Sequence, residues 1–72
     1  MRKSLVDDLV NAWPSAIVAR HDAHRFSGGT VTPGTLSNCD SRGVGPKARF
    51  RVGKNTAYYA QDLAEWIASR VK

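Results

Sequence analysis

The chain has 72 residues, a single cysteine and a net charge of +5 at pH 7. A chain of this length fits one domain near the lower size limit for folding without a disulfide, a metal or a partner, and one cysteine excludes an internal disulfide framework. Asp7 and Asp8 do not suit a signal peptide, and no apolar run approaches the roughly 18 residues of a membrane span. We therefore expect a cytoplasmic protein without a membrane partner.

Charge is distributed unevenly along the chain. Eleven Lys and Arg residues outnumber six Asp and Glu residues. Four of these basic residues and no acidic residue lie within residues 47–54. Such a basic segment favours a polyanionic partner, most often nucleic acid, so we expect a nucleoid-associated location. The alternative is that the excess positive charge serves only solubility.

Residues 4–12 have the pattern of a short amphipathic helix. Ser4 is a suitable N-cap, two aspartates lie in the first turns, and Pro14 ends the helix. We expect this N-terminal segment, residues 1–14, to fold back onto a domain formed by residues 15–72, since so small a domain needs the burial. The alternative is contact with a second copy. The apolar side of the helix consists of Leu5, Val6, Leu9, Val10 and Trp13.

Residues 20–27 and 33–42 are predicted as two helices with Gly28 and Gly29 between them. This order is typical of a helix-turn-helix motif, in which the first helix lies across the DNA backbone. Arg20, at the start of the first helix, is then placed for a phosphate contact. The residues of that helix expected to pack inward are Ala23 and Phe26.

The second of these helices has recognisable ends and two distinct faces. Thr32 is a suitable N-cap, Pro33 takes the first helical position and Gly43 stops the helix. Leu36 and Cys39 form a narrow apolar stripe. A second stripe, with i, i+3, i+4, i+7 spacing, consists of Gly34, Ser37, Asn38 and Ser41.

We interpret this second stripe as a candidate surface for contacting DNA bases. Its side chains are small and uncharged, and Asn38 can pair bidentately with the adenine edge in a major groove. Thr35 and Arg42 flank the stripe and can reach bases or phosphates. The stripe alone is equally compatible with an ordinary amphipathic helix whose polar face contacts solvent.

A metal site or a catalytic site is not supported by the remaining polar residues. His21, His24 and Cys39 are the candidate ligands, but the paired cysteines of structural zinc sites are absent and Cys39 lies on the apolar stripe. No spacing places a base beside a nucleophile or builds an oxyanion hole. We expect no enzyme activity, no metal, no cofactor and no small-molecule substrate.

Residues 47–59 are predicted as a two-stranded hairpin that turns at Gly53. A basic hairpin beside a recognition helix is typical of the wing of a winged helix. The alternative is that its arginines are only the polar face of a strand. We expect the apolar side to contain Phe50, Val52 and Tyr58, and the outer side and tip to contain Arg49, Arg51, Lys54 and Asn55.

Residues 60–70 are predicted as the last helix. Leu63, Trp66 and Ile67 recur at helical spacing, and acids precede bases along the segment, which suits the helix dipole. We expect these three side chains to close the core against Phe50 and Tyr58.

Several short segments occur in an order that is fairly specific. They are Thr35-Leu36, Ser41-Arg42-Gly43, Gly45-Pro46, Phe50-Arg51-Val52-Gly53, Tyr58 and Asp62-Leu63-Ala64-Glu65-Trp66-Ile67. This series resembles the MerR-like, excisionase-type winged-helix domains of phages and integrated elements, over residues of about 17 to 69. The chain departs from the pattern at Cys39, where a larger hydrophobic residue is expected, and in the additional helix before residue 14.

The resemblance implies an α+β fold, a small winged helix-turn-helix. In that fold the helix bearing Thr35 enters the major groove, the Lys54 wing contacts the flanking backbone and the Trp66 helix supports both. It further implies binding without catalysis, either as an excisionase-like factor that bends attachment-site DNA to direct a recombinase or as a small transcriptional regulator. Self-association through the additional helix is a further expectation, because half-site recognition often uses it.

We therefore expect sequence-preferring binding to double-stranded DNA. Two other functions stay open: a protein-interaction adaptor, anti-repressor-like, acting through the N-terminal helix, and binding of RNA or single strands through Tyr59 and the basic strands. The residues expected near bases are Ser37, Asn38 and Ser41, with Thr35 and Arg42 at the edge of the stripe. The residues expected at phosphates are Arg20, Lys47, Arg49, Arg51 and Lys54, with Asn55 at the wing tip.

Overall fold

The computed structural model describes residues 4–71, which form an antiparallel sheet with helices packed against it. The elements are α1 (Leu5–Ala12), β1 (Ile17–Ala19), α2 (Ala23–Phe26), α3 (Pro33–Ser41), β2 (Phe50–Val52), β3 (Asn55–Tyr59) and α4 (Ala60–Ser69), with a 3₁₀ turn at Arg20–Asp22 before α2. The four helices and the three-stranded sheet found in residues 4–71 confirm the predicted α+β class and are compatible with a winged-helix-like fold.

The ends of α3 are fixed by the residues that the sequence indicates. The Thr32 hydroxyl accepts a hydrogen bond from the Thr35 N–H at 3.1 Å, so Thr32 is the N-cap. Gly43 has a φ of +74°, and the Val44 N–H donates to the Cys39 carbonyl at 2.9 Å, which together form a Schellman ending. These caps hold α3 to the nine residues Pro33–Ser41.

The predicted helix over residues 20–27 is shorter and less regular than expected. Its first part is the 3₁₀ turn, and only Ala23–Phe26 form an α-helical turn. Gly28 and Gly29, with φ values of +68° and +88°, then turn the chain toward α3. Ala23 and Phe26 are buried, as predicted.

The sheet contains a third strand, β1, which the predicted two-stranded hairpin did not include. The strand order is β1-β3-β2, and β1 pairs antiparallel with β3 so that Ile17 lies opposite Tyr59. The Ala60 N–H continues this pairing with a 2.9 Å hydrogen bond to the Ala16 carbonyl. A three-residue strand is too short for its periodicity to be recognised, and its partner is distant in sequence.

The predicted orientation of the hairpin is wrong for Phe50 and Val52. Phe50 lies opposite Ala57 and Val52 opposite Asn55, and paired residues project from the same face of a sheet. Tyr58 therefore projects from the other face, together with Arg51. Val52 is 55% exposed and Phe50 is half-buried, whereas Tyr58 is fully buried.

The core lies between the inner face of the sheet and the helices. α1 folds back onto it, as predicted: the Trp13 ring meets Phe26 edge-on with a centroid distance of 5.5 Å, and the Trp13 indole N–H donates to the Ile17 carbonyl at 2.9 Å. Among the described residues the buried core comprises Val18, Ala23, Phe26, Val31, Leu36, Cys39, Tyr58, Ala60, Leu63, Ala64 and Trp66.

The tryptophan of the last helix holds the segment that follows α3. Leu63 and Trp66 are buried and Ile67 is partly buried, as expected for this helix. The Trp66 indole N–H donates to the Val44 carbonyl at 2.8 Å, just after α3 ends. Phe50, which was expected in this core, packs on Tyr59 instead, with the two ring centroids 5.2 Å apart.

Candidate nucleic-acid interface

The polar stripe of α3 faces outward along its length. Leu36 and Cys39 are buried on the opposite side of the helix, and Asp40 is buried at the edge between the two sides. Thr35, at the edge, is half-buried, and its hydroxyl lies 3.0 Å from that of Thr32. The exposed residues are Gly34, Ser37, Asn38, Ser41 and Arg42. This surface is uncharged except at its C-terminal end, and it carries the residues predicted to contact bases.

A buried carboxylate joins α3 to the sheet and to the 3₁₀ turn. The Asp40 side chain is 4% exposed, and its Oδ2 accepts hydrogen bonds from Arg20 Nη2 and from the Tyr58 hydroxyl, both at 2.6 Å. Arg20 Nε also donates to the Tyr58 hydroxyl at 3.0 Å. The three side chains come from three different elements, so this cluster fixes α3 relative to its neighbours.

The protonation states in this cluster suit its hydrogen bonds. Burial and the hydrogen bond to Asp40 raise the pKa of Tyr58 to about 12, so the phenol stays protonated and can donate. Burial alone would lower the pKa of Arg20, but its hydrogen bonds to Tyr58 and Asp40 outweigh burial and raise it. The guanidinium therefore stays charged beside the carboxylate.

The second oxygen of Asp40 lies against Gly45 and points toward Arg49. Asp40 Oδ1 is buried and makes no hydrogen bond within residues 4–71, and Arg49 Nη1 lies 3.8 Å away. A Cβ atom at position 45 would approach Oδ1 to 2.1 Å. A side chain at position 45 would therefore have to displace the Asp40 carboxylate.

Two basic clefts lie between the hairpin and the helix-turn-helix segment. They have volumes of about 230 and 300 Å³, and both are lined by Arg20 and Thr56. The first is also lined by His21, Pro33, Lys54 and Asn55, and the second by Arg49, Phe50 and Arg51. The structure thus brings together four of the cations predicted at phosphates, Arg20, Arg49, Arg51 and Lys54, with Asn55 beside them.

One edge of α3 borders the first of these clefts. Pro33 lines the first cleft, and Asp40, seven residues later on the same helix edge, reaches Arg20. Ser37 lies between them on that edge and is exposed. The stripe of α3 therefore lies near the cations of the hairpin at the first cleft.

Some predicted site residues do not share this arrangement. Lys47 and Arg42 are exposed but line neither cleft. Arg20 lines both clefts, but two of its nitrogen atoms donate inward. Its side chain is 25% exposed, which suits a residue that positions α3.

Sequence reasoning missed the role of Asp40 and the position of His21. An aspartate inside a helix is normally exposed, and its burial depends on partners 18 and 20 residues away in the chain. The helical spacing from Leu36 to Asp40 was the available signal, because it places Asp40 beside the apolar stripe. No local pattern indicates that His21 lines a cleft with Lys54.

An apolar groove lies where α1 meets α4. It has a volume of about 390 Å³, and its apolar lining includes Leu5, Leu9, Val31, Ile67 and Val71. Arg70 is the single cation among the described residues that line it, whereas several cations line the two basic clefts. This groove is the surface most relevant to the expected adaptor function of the first helix.

Comparison with known proteins gives no relatives for this chain. No family model matches it, and neither a curated protein nor a solved structure matches it significantly. Within residues 4–71, every helix falls short of the length and apolar character that crossing a bilayer requires.

Proposed function

We propose that this protein binds double-stranded DNA with sequence preference and without catalysis. The observation that carries the proposal is the exposed, uncharged stripe of α3 beside two clefts lined by cations, on a chain with a net charge of +5. A major groove admits an α-helix whose small polar side chains contact base edges, and flanking phosphates attract cations. The resemblance described above favours an excisionase-like factor acting with a recombinase or a small transcriptional regulator.

Base contacts are assigned to the exposed stripe of α3. The Asn38 amide can donate to and accept from an adenine edge, and the hydroxyls of Ser37 and Ser41 can bond to several bases. Gly34 has no side chain, which permits close approach at the N-terminal end of the helix. Thr35 and Arg42 lie at the margins of this contact.

Phosphate contacts are assigned mainly to the hairpin. Arg49, Arg51 and Lys54 line the clefts and are exposed, and Asn55 accompanies them at the tip. Each phosphate contact contributes roughly 0.9 to the slope of log affinity against log salt. Lys47 is exposed just before β2 and is assigned a peripheral contact of the same kind.

The direct test is fluorescence anisotropy with random duplex DNA, single-stranded DNA and duplex RNA at two salt concentrations. We expect preferential and steeply salt-dependent binding to duplex DNA, followed by enrichment of a preferred site in a selection experiment. Preference for single strands would instead implicate the exposed ring of Tyr59. Binding to none of these at low salt would contradict the proposal and direct the search to a protein partner at the groove between α1 and α4.

Two substitutions separate base contacts from phosphate contacts. Asn38→Ala should cost about 1–3 kcal/mol on the selected site and little on random DNA. Lys54→Ala should weaken all duplexes alike and lower the salt slope by roughly 0.9. Arg70→Gln removes one positive charge outside the clefts and serves as the control, with the salt slope unchanged. Equal losses from Asn38→Ala and Lys54→Ala on both DNAs would refute the assignment.

A further inference from the structure

The sheet has an outer face that points away from the core. Side chains alternate along a strand, and paired residues share a face, so the registers of β1, β2 and β3 define it. The opposite face carries Val18 and Tyr58, both fully buried in the core. The outer sheet face consists of Ile17, Ala19, Phe50, Val52, Asn55, Ala57 and Tyr59.

Large apolar side chains are exposed on the outer sheet face. Ile17 is 36% exposed, Val52 is 55% exposed and Tyr59 is 53% exposed. These are three of the six exposed large hydrophobic residues found within residues 4–71. Phe50 is half-buried against the ring of Tyr59, so the exposed side chains are parts of one patch rather than scattered singly.

The outer sheet face carries no charged residue among its seven positions. Arg51 projects from the opposite face, toward the clefts. A surface without cations does not suit the phosphates of a nucleic acid. For two copies of a chain with a net charge of +5, repulsion is least when they meet through a face that has no charge.

We propose that a second copy of this chain packs on the outer sheet face, with the two sheets face to face about a two-fold axis. In such an isologous contact both copies use the same patch, and the apolar surface of each is buried against that of the other. α3 stays open. Asn55 and Phe50 belong to the outer sheet face and also line one cleft each, so the two contact surfaces meet at these residues. The association does not depend on DNA, and only its consequence, two copies of α3 presented to one duplex, rests on the proposed function.

The size of the patch predicts a weak dimer. Its exposed apolar area is of the order of a few hundred Å² per chain, compared with about 800 Å² per partner in a standard stable interface. We therefore expect a dissociation constant on the order of 100 μM in the absence of DNA. Higher salt should strengthen the association by screening the repulsion between two basic chains. Binding to DNA has the opposite salt dependence.

Sedimentation equilibrium without nucleic acid tests this proposal, at chain concentrations from about 10 μM to about 1 mM, a range set by the expected affinity. Val52→Lys should weaken association at least tenfold. Val44→Lys is the matched control, since Val44 and Val52 are 52% and 55% exposed and Val44 lies after α3, outside the sheet. Ile17→Lys places a charge at the other side of the patch and should act like Val52→Lys. Circular dichroism of each variant confirms folding.

Concentration-dependent NMR shifts locate the contact directly. We expect the largest changes at Ile17, Val52 and Tyr59. A monomer at the highest concentration and high salt would overturn the proposal, as would equal effects of Val44→Lys and Val52→Lys. Shifts centred on Leu5 and Val71 would assign the contact to the groove between α1 and α4 instead. None of these outcomes alters duplex binding by the monomer, so failure of the dimer and failure of the proposed function are distinguishable.

Discussion

Asp40 shows how one buried carboxylate can fix the orientation of a helix. It is the acceptor shared by Arg20 and Tyr58, and its other oxygen occupies the space above Gly45. A buried carboxylate costs desolvation free energy, which its hydrogen bonds and the adjacent guanidinium offset. The cluster specifies orientation, because its hydrogen bonds form only when α3, β3 and the 3₁₀ turn are correctly placed relative to one another.

Replacing Asp40 by Ala should strongly destabilise the fold. The Tyr58 hydroxyl and the Arg20 guanidinium lose their common acceptor, and we expect the free energy of unfolding to fall by about 3 kcal/mol in urea denaturation. Asp40→Asn keeps a neutral acceptor and should lose less. Asp7→Asn, at an exposed acid of α1, should cost under about 1 kcal/mol. Similar losses for Asp7→Asn and Asp40→Ala would contradict this role.

Tyr58 should make stability depend on pH in the alkaline range. Its pKa is raised from 10.0 to about 12, so folding favours the neutral phenol. The contribution is fully present below about pH 10 and is lost as the pH rises through about 12, with a maximum of about 3 kcal/mol. Unfolding free energies measured against pH for the wild type and Tyr58→Phe should therefore converge in this interval. Parallel curves would show that Tyr58 does not cause the effect.

Element ends could be predicted where a single residue determines them. Thr32, Pro33 and Gly43 each act on the neighbouring backbone, so the predicted bounds of α3 differ by one residue from those observed. The same reasoning failed to show which edge of α3 meets the sheet, because that depends on Asp40 and its distant partners. Sequence alone thus located the exposed stripe but not its neighbours.

The sheet could be predicted only in part, because strand alternation defines two faces without showing how strands pair. Placing Tyr58 with Phe50 and Val52 assumed a register shifted by one residue from the observed pairing of Phe50 with Ala57. A shift of one residue exchanges the faces of a strand. Neither the apolar outer sheet face nor strand β1 was therefore predicted from the sequence.

Gly34→Ala should separate the stability of α3 from its proposed contact with DNA. Gly34 is exposed, and an added Cβ would meet only Thr32 Oγ1, at 3.9 Å. Alanine should therefore stabilise the helix by about 0.5 kcal/mol while its methyl group weakens duplex binding. Gly43→Ala, at a φ of +74°, should instead destabilise the fold by about 1 kcal/mol. Increased stability together with unchanged affinity would remove Gly34 from the contact surface.

The whole molecule should unfold as one unit that includes α1. Trp13 packs on Phe26, and α1 shares the core with α4. Trp13→Phe leaves Trp66 as the sole tryptophan, and Trp66→Phe leaves Trp13, so each variant reports on a different part of the fold. Fluorescence and circular dichroism should give coincident denaturation curves within each variant. Earlier loss of the Trp13 signal would show that residues 1–14 form a separate unit.

The buried position of Cys39 makes its thiol a natural probe for the opening of α3. Cys39 is the only thiol of the chain and is 6% exposed on the inward side of α3. A thiol reagent can reach it only when α3 separates from the core, so the labelling rate measures how often this helix opens. A duplex that held α3 in its groove would slow this labelling, so the labelling rate would also report how much of the protein has α3 bound to DNA.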